Sequence, residues 1–213
     1  MSSDSLIIGL TKGKTLQKLS SICEKHLFAV PELYLLDVDN WKKDFELCLI
    51  ELADIFGNSE LIVRSSASDE DSETSAKAGE YHSVLNVSAK DTKSLANAIN
   101  AVITSYVSKG LEDKGQEVLI QCMVRDVVCS GVIFTHELNT GAPYYVVNYD
   151  DSSGSTESVT SGSGEYSNRT LYIHRSSFEK IKSPRFKALI DAVRELEATI
   201  GWSFLDIEFA IDK

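Results

Sequence analysis

Between Leu61 and Ala67 the chain reads LIVRSSA, and the residues that follow, Asp69, Glu70, Asp71 and Glu73, are too charged to be buried together. Ile62 and Val63 are β-branched and favour a strand, while Ser65 and Ser66 end the apolar run. The pattern predicts a strand with Arg64 at its mouth and Ala78-Gly79 within loop reach. A guanidinium there offers a planar fork of donors that suits a phosphate or a carboxylate. An arginine closing a strand is more commonly a surface or salt-bridge residue, so this segment alone leaves both readings open.

Hydrophobic spacing places the other elements. Helical periods run through Trp41, Phe45, Leu49 and Leu52 before Gly57, through Leu95, Ile99, Val102, Ile103 and Tyr106, and through Phe186, Leu189, Ile190, Val193 and Leu196 before Gly201. A shorter helix is expected after Gly13, with Leu16, Leu19 and Ile22 turned inward. Short apolar or alternating runs predict strands near 60–66, 81–87, 117–124, 130–137, 144–150, 169–175 and 204–211. This order is mixed and is no repeating βαβ series, which favours an α+β fold with largely antiparallel sheets and flanking helices. A polar, glycine-containing stretch at Lys109–Glu117 marks the expected boundary between a first lobe, 1–115, and a second, 116–213, with a cleft between them.

Composition removes several classes of partner. A net charge of -11 argues against nucleic acid and against an anionic membrane surface, both of which are bound through excess Lys and Arg. No stretch approaches the roughly 20 apolar residues needed to span a bilayer, and no apolar run follows a basic start. Cys23, Cys48, Cys122 and Cys129 lie singly in apolar stretches without zinc spacing, so they read as reduced core residues of a cytoplasmic protein.

Two further segments carry chemistry. Asp150–Gly164, DDSSGSTESVTSGSG, is either a flexible Gly/Ser linker or a loop whose amides and hydroxyls meet an anion. From Phe204 to Ile211, Asp206 and Glu208 alternate with Leu205, Ile207, Phe209 and Ile211, which puts both carboxylates on one strand face. Two oxygen donors about 7 Å apart along a strand suit a hard cation shared with phosphate, or simply a polar face in water.

Five ordered blocks then resemble the nucleotide-binding domain of the phosphoenolpyruvate synthase and pyruvate phosphate dikinase family. They are the turn Thr11-Lys12-Gly13-Lys14-Thr15-Leu16, the run Val63 to Val87 with VRSSA and AGEYHSVLNV, the strand Val118 to Val124, the segment Ser130 to Gly141, and Asp206 to Ala210. The resemblance implies an ATP-grasp fold with ATP and magnesium held between two lobes. It implies phosphate-contacting, catalytic roles for Lys12 and Arg64, with Lys14 a rival to Lys12 because the turn departs from the family's GGK form. Gly79 and Ser83 match positions lining the phosphate region, as do Thr160 and Gly162 in the glycine-rich loop. Gln121 to Val124, including Met123, match the segment beside the adenine, and Asp206 and Glu208 match the magnesium-side acids.

The chain also departs from the family pattern. Glu137-Leu138 stands for the usual Asp-Pro, and Gly154-Ser155-Thr156-Glu157 for Gly-Leu-Gly-Glu. The sequence stops at Lys213, before a QxRP-like strand, and His26, His82, His136 and His174 sit in no phosphohistidine motif. These features imply a nucleotide-binding part, truncated before the end of its domain, of a longer phosphotransferase. Its phosphoryl group would pass to a histidine on a swivelling domain and then to an acceptor bound elsewhere. A specialised small-molecule kinase, glutamine-kinase-like, is the main alternative; a non-catalytic regulatory relative and a carbohydrate or peptide binder are others.

Overall fold

A computed structural model describes residues 10–22, 26–67, 83–112, 115–153 and 169–213. The chain divides into two units: one holds the described residues of Ile7–Glu24 and Ala29–Met123, the other those of Lys25–Phe28 and Val124–Lys213. The expected boundary at 116 moves to Met123 and Val124, because residues 117–122 pair with strands of the first unit.

In the first unit, β1 (Leu33–Asp37), β2 (Glu60–Ser66), β3 (Ser83–Ser88) and β4 (Glu117–Cys122) form an antiparallel sheet in the order β1-β4-β2-β3. Its helices are α1 (Lys12–Ser20), α2 (Val38–Lys43), α3 (Phe45–Phe56) and α4 (Thr92–Ser108). One sheet face, through Leu36, Leu61, Val63, Val118 and Ile120, packs with Leu52 and Phe56 of α3 and with Leu95, Ile99, Val102 and Tyr106 of α4. Each of these side chains contributes about 2 kcal/mol by leaving water.

The tyrosine hydroxyl fixes the end of the β2–β4 pair. Tyr106 donates to the Glu117 carbonyl at 2.6 Å and accepts from the Ser66 amide at 3.0 Å, so it stands between two residues that face each other in the ladder. A bulge interrupts β2–β3: Leu61 pairs with Val87 but Val63 with Val84. The extra residue lets Asn86 adopt φ +55° and donate its amide to Met123 Sδ at 3.2 Å.

In the second unit, β5 (Cys129–Phe134), β6 (Tyr144–Asp150), β7 (Arg169–His174) and β8 (Asp206–Ile211) form a second antiparallel sheet, ordered β7-β6-β5-β8. A 3-10 helix, Arg175–Lys180, follows β7, and α5 (Pro184–Ile200) begins with proline at its first turn and ends at Gly201 in the left-handed conformation. Phe186, Leu189, Ile190 and Val193 of α5 cover the face bearing Ile133, Tyr145, Val147 and Ile173. Glu197, only 7% exposed, is satisfied by both guanidinium nitrogens of Arg175 at 2.8 and 3.0 Å and by the Tyr145 hydroxyl at 3.0 Å. Burial, then the Glu197 charge, pushes the Tyr145 hydroxyl up to about 12.

The α+β reading with antiparallel sheets holds, and local differences have local causes. The single helix expected over 41–52 is two, because Asp44 ends α2 and its carboxylate accepts the Leu47 amide as the cap of α3. Strand β1 escapes a pattern search because Asp37 closes it and caps α2 with no intervening turn. Ile22 is 41% exposed beyond the end of α1, not inward, and Cys122 is only partly buried; Cys48 and Cys129 are buried, and all three described cysteines are free thiols. Among the described residues, no helix is long and apolar enough to cross a membrane.

Candidate functional site

Arg64 lies inside β2 and not at its mouth, because Ser65 and Ser66 stay paired with Val118 and Glu117 of β4. It stands opposite Ser83 of β3 on one side and Leu119 of β4 on the other. Opposed residues share a sheet face, as do residues two apart on one strand. Ile62, Arg64, Ser66, Ser83, Leu119 and Gln121 therefore belong to one face, the reverse of the one that packs on α4.

Helix α1 seats on that same face. Gly13 donates its amide to Ser66 Oγ at 3.0 Å, and a Cβ at position 13 would overlap the Leu35 side chain. Glycine is what lets the backbone approach so closely. Thr11 caps the helix by accepting the Lys14 amide, and its hydroxyl donates to Glu117 Oε2 at 3.2 Å. Lys14 Nζ meets the other Glu117 oxygen at 3.1 Å. The structure thus brings the Lys12-Gly13-Lys14 turn, Arg64, Ser83 and Gln121 to one side of the first sheet.

The Gln121 to Val124 segment runs to the point where the chain leaves the first unit. Gln121 is buried and its amide nitrogen donates to the Pro31 carbonyl at 3.4 Å. The Cys122 and Met123 amides already donate to the Glu32 and Glu60 carbonyls, at 2.8 and 2.9 Å. Those two N–H groups are committed to the sheet.

In the second unit, Asp206 and Glu208 are exposed on β8, opposite Phe134 and Val132 of β5. Both face away from α5, whose side of the sheet holds Ile207, Phe209 and Ile211. Asn148 is the other partner of Val132, and Thr170 donates to the Asn148 side-chain oxygen at 2.8 Å, so on this face Val132 separates Glu208 from a polar Asn148–Thr170 pair. Two carboxylates on one strand fit magnesium's use of one or two carboxylates with phosphate and water. Among the described residues, no three His, Cys, Asp or Glu side chains gather as a metal-holding group. Gly79, Thr160 and Gly162 lie outside the described residues, as does the acidic loop that follows Ala67.

Glu137 organises the turn that follows β5 with its own side chain. Its carboxylate accepts from the Asn139 and Thr140 amides, the Asn139 side chain and the Thr140 hydroxyl, at 2.6 to 3.1 Å. Those bonds, the Thr140 hydroxyl first, hold its carboxyl down to about 2. The turn then closes through Gly141, at φ +68°.

A family model described as pyruvate phosphate dikinase, AMP/ATP-binding domain, matches residues 39–187, more than half of the chain. The chain belongs to that family. Membership in the pyruvate phosphate dikinase AMP/ATP-binding family makes this a nucleotide-binding domain of a kinase-like lineage, and the match covers Arg64, Gly79, Ser83, Gln121, Met123, Val124, Thr160 and Gly162. Lys12, Lys14, Asp206 and Glu208 lie outside the matched residues. None of the curated proteins compared with the chain matches it.

Sequence reasoning passed over Glu117, Ser66 and Asn148. Glu117 looks like a strand's first residue and nothing more; the signal was its place directly before the apolar run that pairs with β2. Asn148 alternates with Val147 and Tyr149, a period-two cue in YYVVNYD that points it to the polar face.

Proposed function

We propose that this domain binds ATP with magnesium and presents a phosphoryl group to a histidine carried on a separate domain. The observation that most supports this reading is the gathering of Arg64, Ser83 and the Lys12-Gly13-Lys14 turn on one sheet face of a chain from an AMP/ATP-binding family. Arg64 would hold phosphate oxygens with its fork and Lys12 would add a point charge, a catalytic contribution made through positioning and charge neutralisation. Met123 and the Gln121 side chain would border the base, and Val124 is the residue of that segment left to read the ring edge by its amide. Asp206 and Glu208 would hold magnesium, which would supply charge neutralisation at the phosphates. The proposed fold assignment is ATP-grasp, with each unit a lobe of one nucleotide-binding domain in the cytoplasm.

Calorimetric titration with ATP, with and without magnesium, tests this reading. Magnesium-dependent binding is expected, and Arg64→Ala should weaken it by roughly 10- to 100-fold, the value of hydrogen bonds to a charged group. Glu208→Ala should remove most of the magnesium dependence while circular dichroism stays unchanged. Unaltered affinity in both variants would overturn the site, and absence of binding in the unsubstituted chain would overturn the function.

A further inference from the structure

We infer that Glu117 is a positioning residue that latches the α1 turn onto the sheet through Thr11 and Lys14, holding that turn where it would meet the nucleotide. This inference rests on the nucleotide-binding reading above.

The latch is built from the core outward. The Glu117 backbone is held by the buried Tyr106 hydroxyl, which also holds the amide of the facing Ser66. The two side chains of this pair then both reach α1: Ser66 Oγ accepts the Gly13 amide, and the Glu117 carboxylate takes the Thr11 hydroxyl and the Lys14 ammonium on separate oxygens. The Glu117 side chain is 16% exposed and that of Lys14 is 50%, so the carboxylate is the fixed member and the lysine the one that comes to it. Successive helix residues are about 100° apart, so Lys12 and Lys14 project to opposite sides of Gly13, which faces the sheet.

The test is a charge exchange with two readouts, amide hydrogen exchange at Gly13 and Lys14 and ATP affinity by calorimetry. Glu117→Gln, Glu117→Lys and Lys14→Glu should each speed exchange at both amides and weaken ATP binding about fivefold, the order expected for a part-buried pair that supports a cap. The double variant Lys14→Glu with Glu117→Lys should restore both readouts, since the ammonium introduced on β4 can also donate to the Thr11 hydroxyl. Lys12→Met should cost more than about tenfold in affinity, the loss of one charge-assisted phosphate contact, and leave the exchange unchanged. If the double variant recovers its protection and not its affinity, Lys14 itself meets the phosphate and the inference falls. It falls equally if Glu117→Gln leaves both amides as protected as before. A chain that binds no ATP would defeat the functional reading, while the exchange data would still decide whether the latch exists.

Discussion

Glu137 and Leu138 stand where the resemblance described above has aspartate and proline. Proline would set the turn by fixing φ; here four hydrogen bonds to one carboxylate set it. Because that carboxyl is held at about 2 against an ordinary 4.5, its contribution to stability is fully present above about 4.5 and is lost as pH falls through about 2. An NMR titration should find the Glu137 midpoint near 2, and Glu137→Gln should remove that acid limb; a midpoint near 4.5 would mean the turn does not depend on this residue. Arg64 teaches the complementary lesson. Its residue type marked it as a phosphate candidate, yet its place inside β2 depends on Ser65 and Ser66 continuing a ladder, which their own polarity argues against.

At the scale of elements, close backbone approach decides where glycine is required. Gly13 lets α1 rest on β1 and β2, and Gly131 lets β5 lie tight against β6, where a Cβ would overlap the Asn148 carbonyl oxygen and come within 2.9 Å of Tyr149 Cα. Both obstacles at Gly131 are backbone, so neither can swing aside. Gly131→Ala should therefore lower the unfolding free energy by about 2 kcal/mol, the cost of overpacking, and should shift the urea midpoint downward without changing its slope. An unmoved midpoint would show that β6 yields freely. Strand type and helix existence were legible from period, since the apolar and alternating runs lie near observed strands. The α2–α3 break was not, because Asp44 as a cap competes with a hydrophobic pattern that runs straight through it.

The described residues form two antiparallel sheets, each with its own buried cluster, one on α3 and α4 and the other on α5. A nucleotide that binds only the folded state stabilises it by mass action. MgATP at about a hundred times its Kd should contribute about 2.7 kcal/mol, seen as a rise in Tm that shrinks to about half or less in Arg64→Ala at the same MgATP concentration. A Tm indifferent to MgATP would show that the folded state has no preference for it. Residue chemistry and period could be read directly from the chain: an arginine in a VRSSA strand, two carboxylates two apart in DIEFA, helices at 3.6-residue spacing, and the family these blocks resemble. Both are local properties, carried by side-chain type and backbone geometry over a few residues. The partner of each element is not local. That β4 joins β1 and β2, that Tyr106 stands between Ser66 and Glu117, and that Lys14 is taken by Glu117, a residue far along the sequence, follow from packing, because contacts between distant segments exist only once the core has closed.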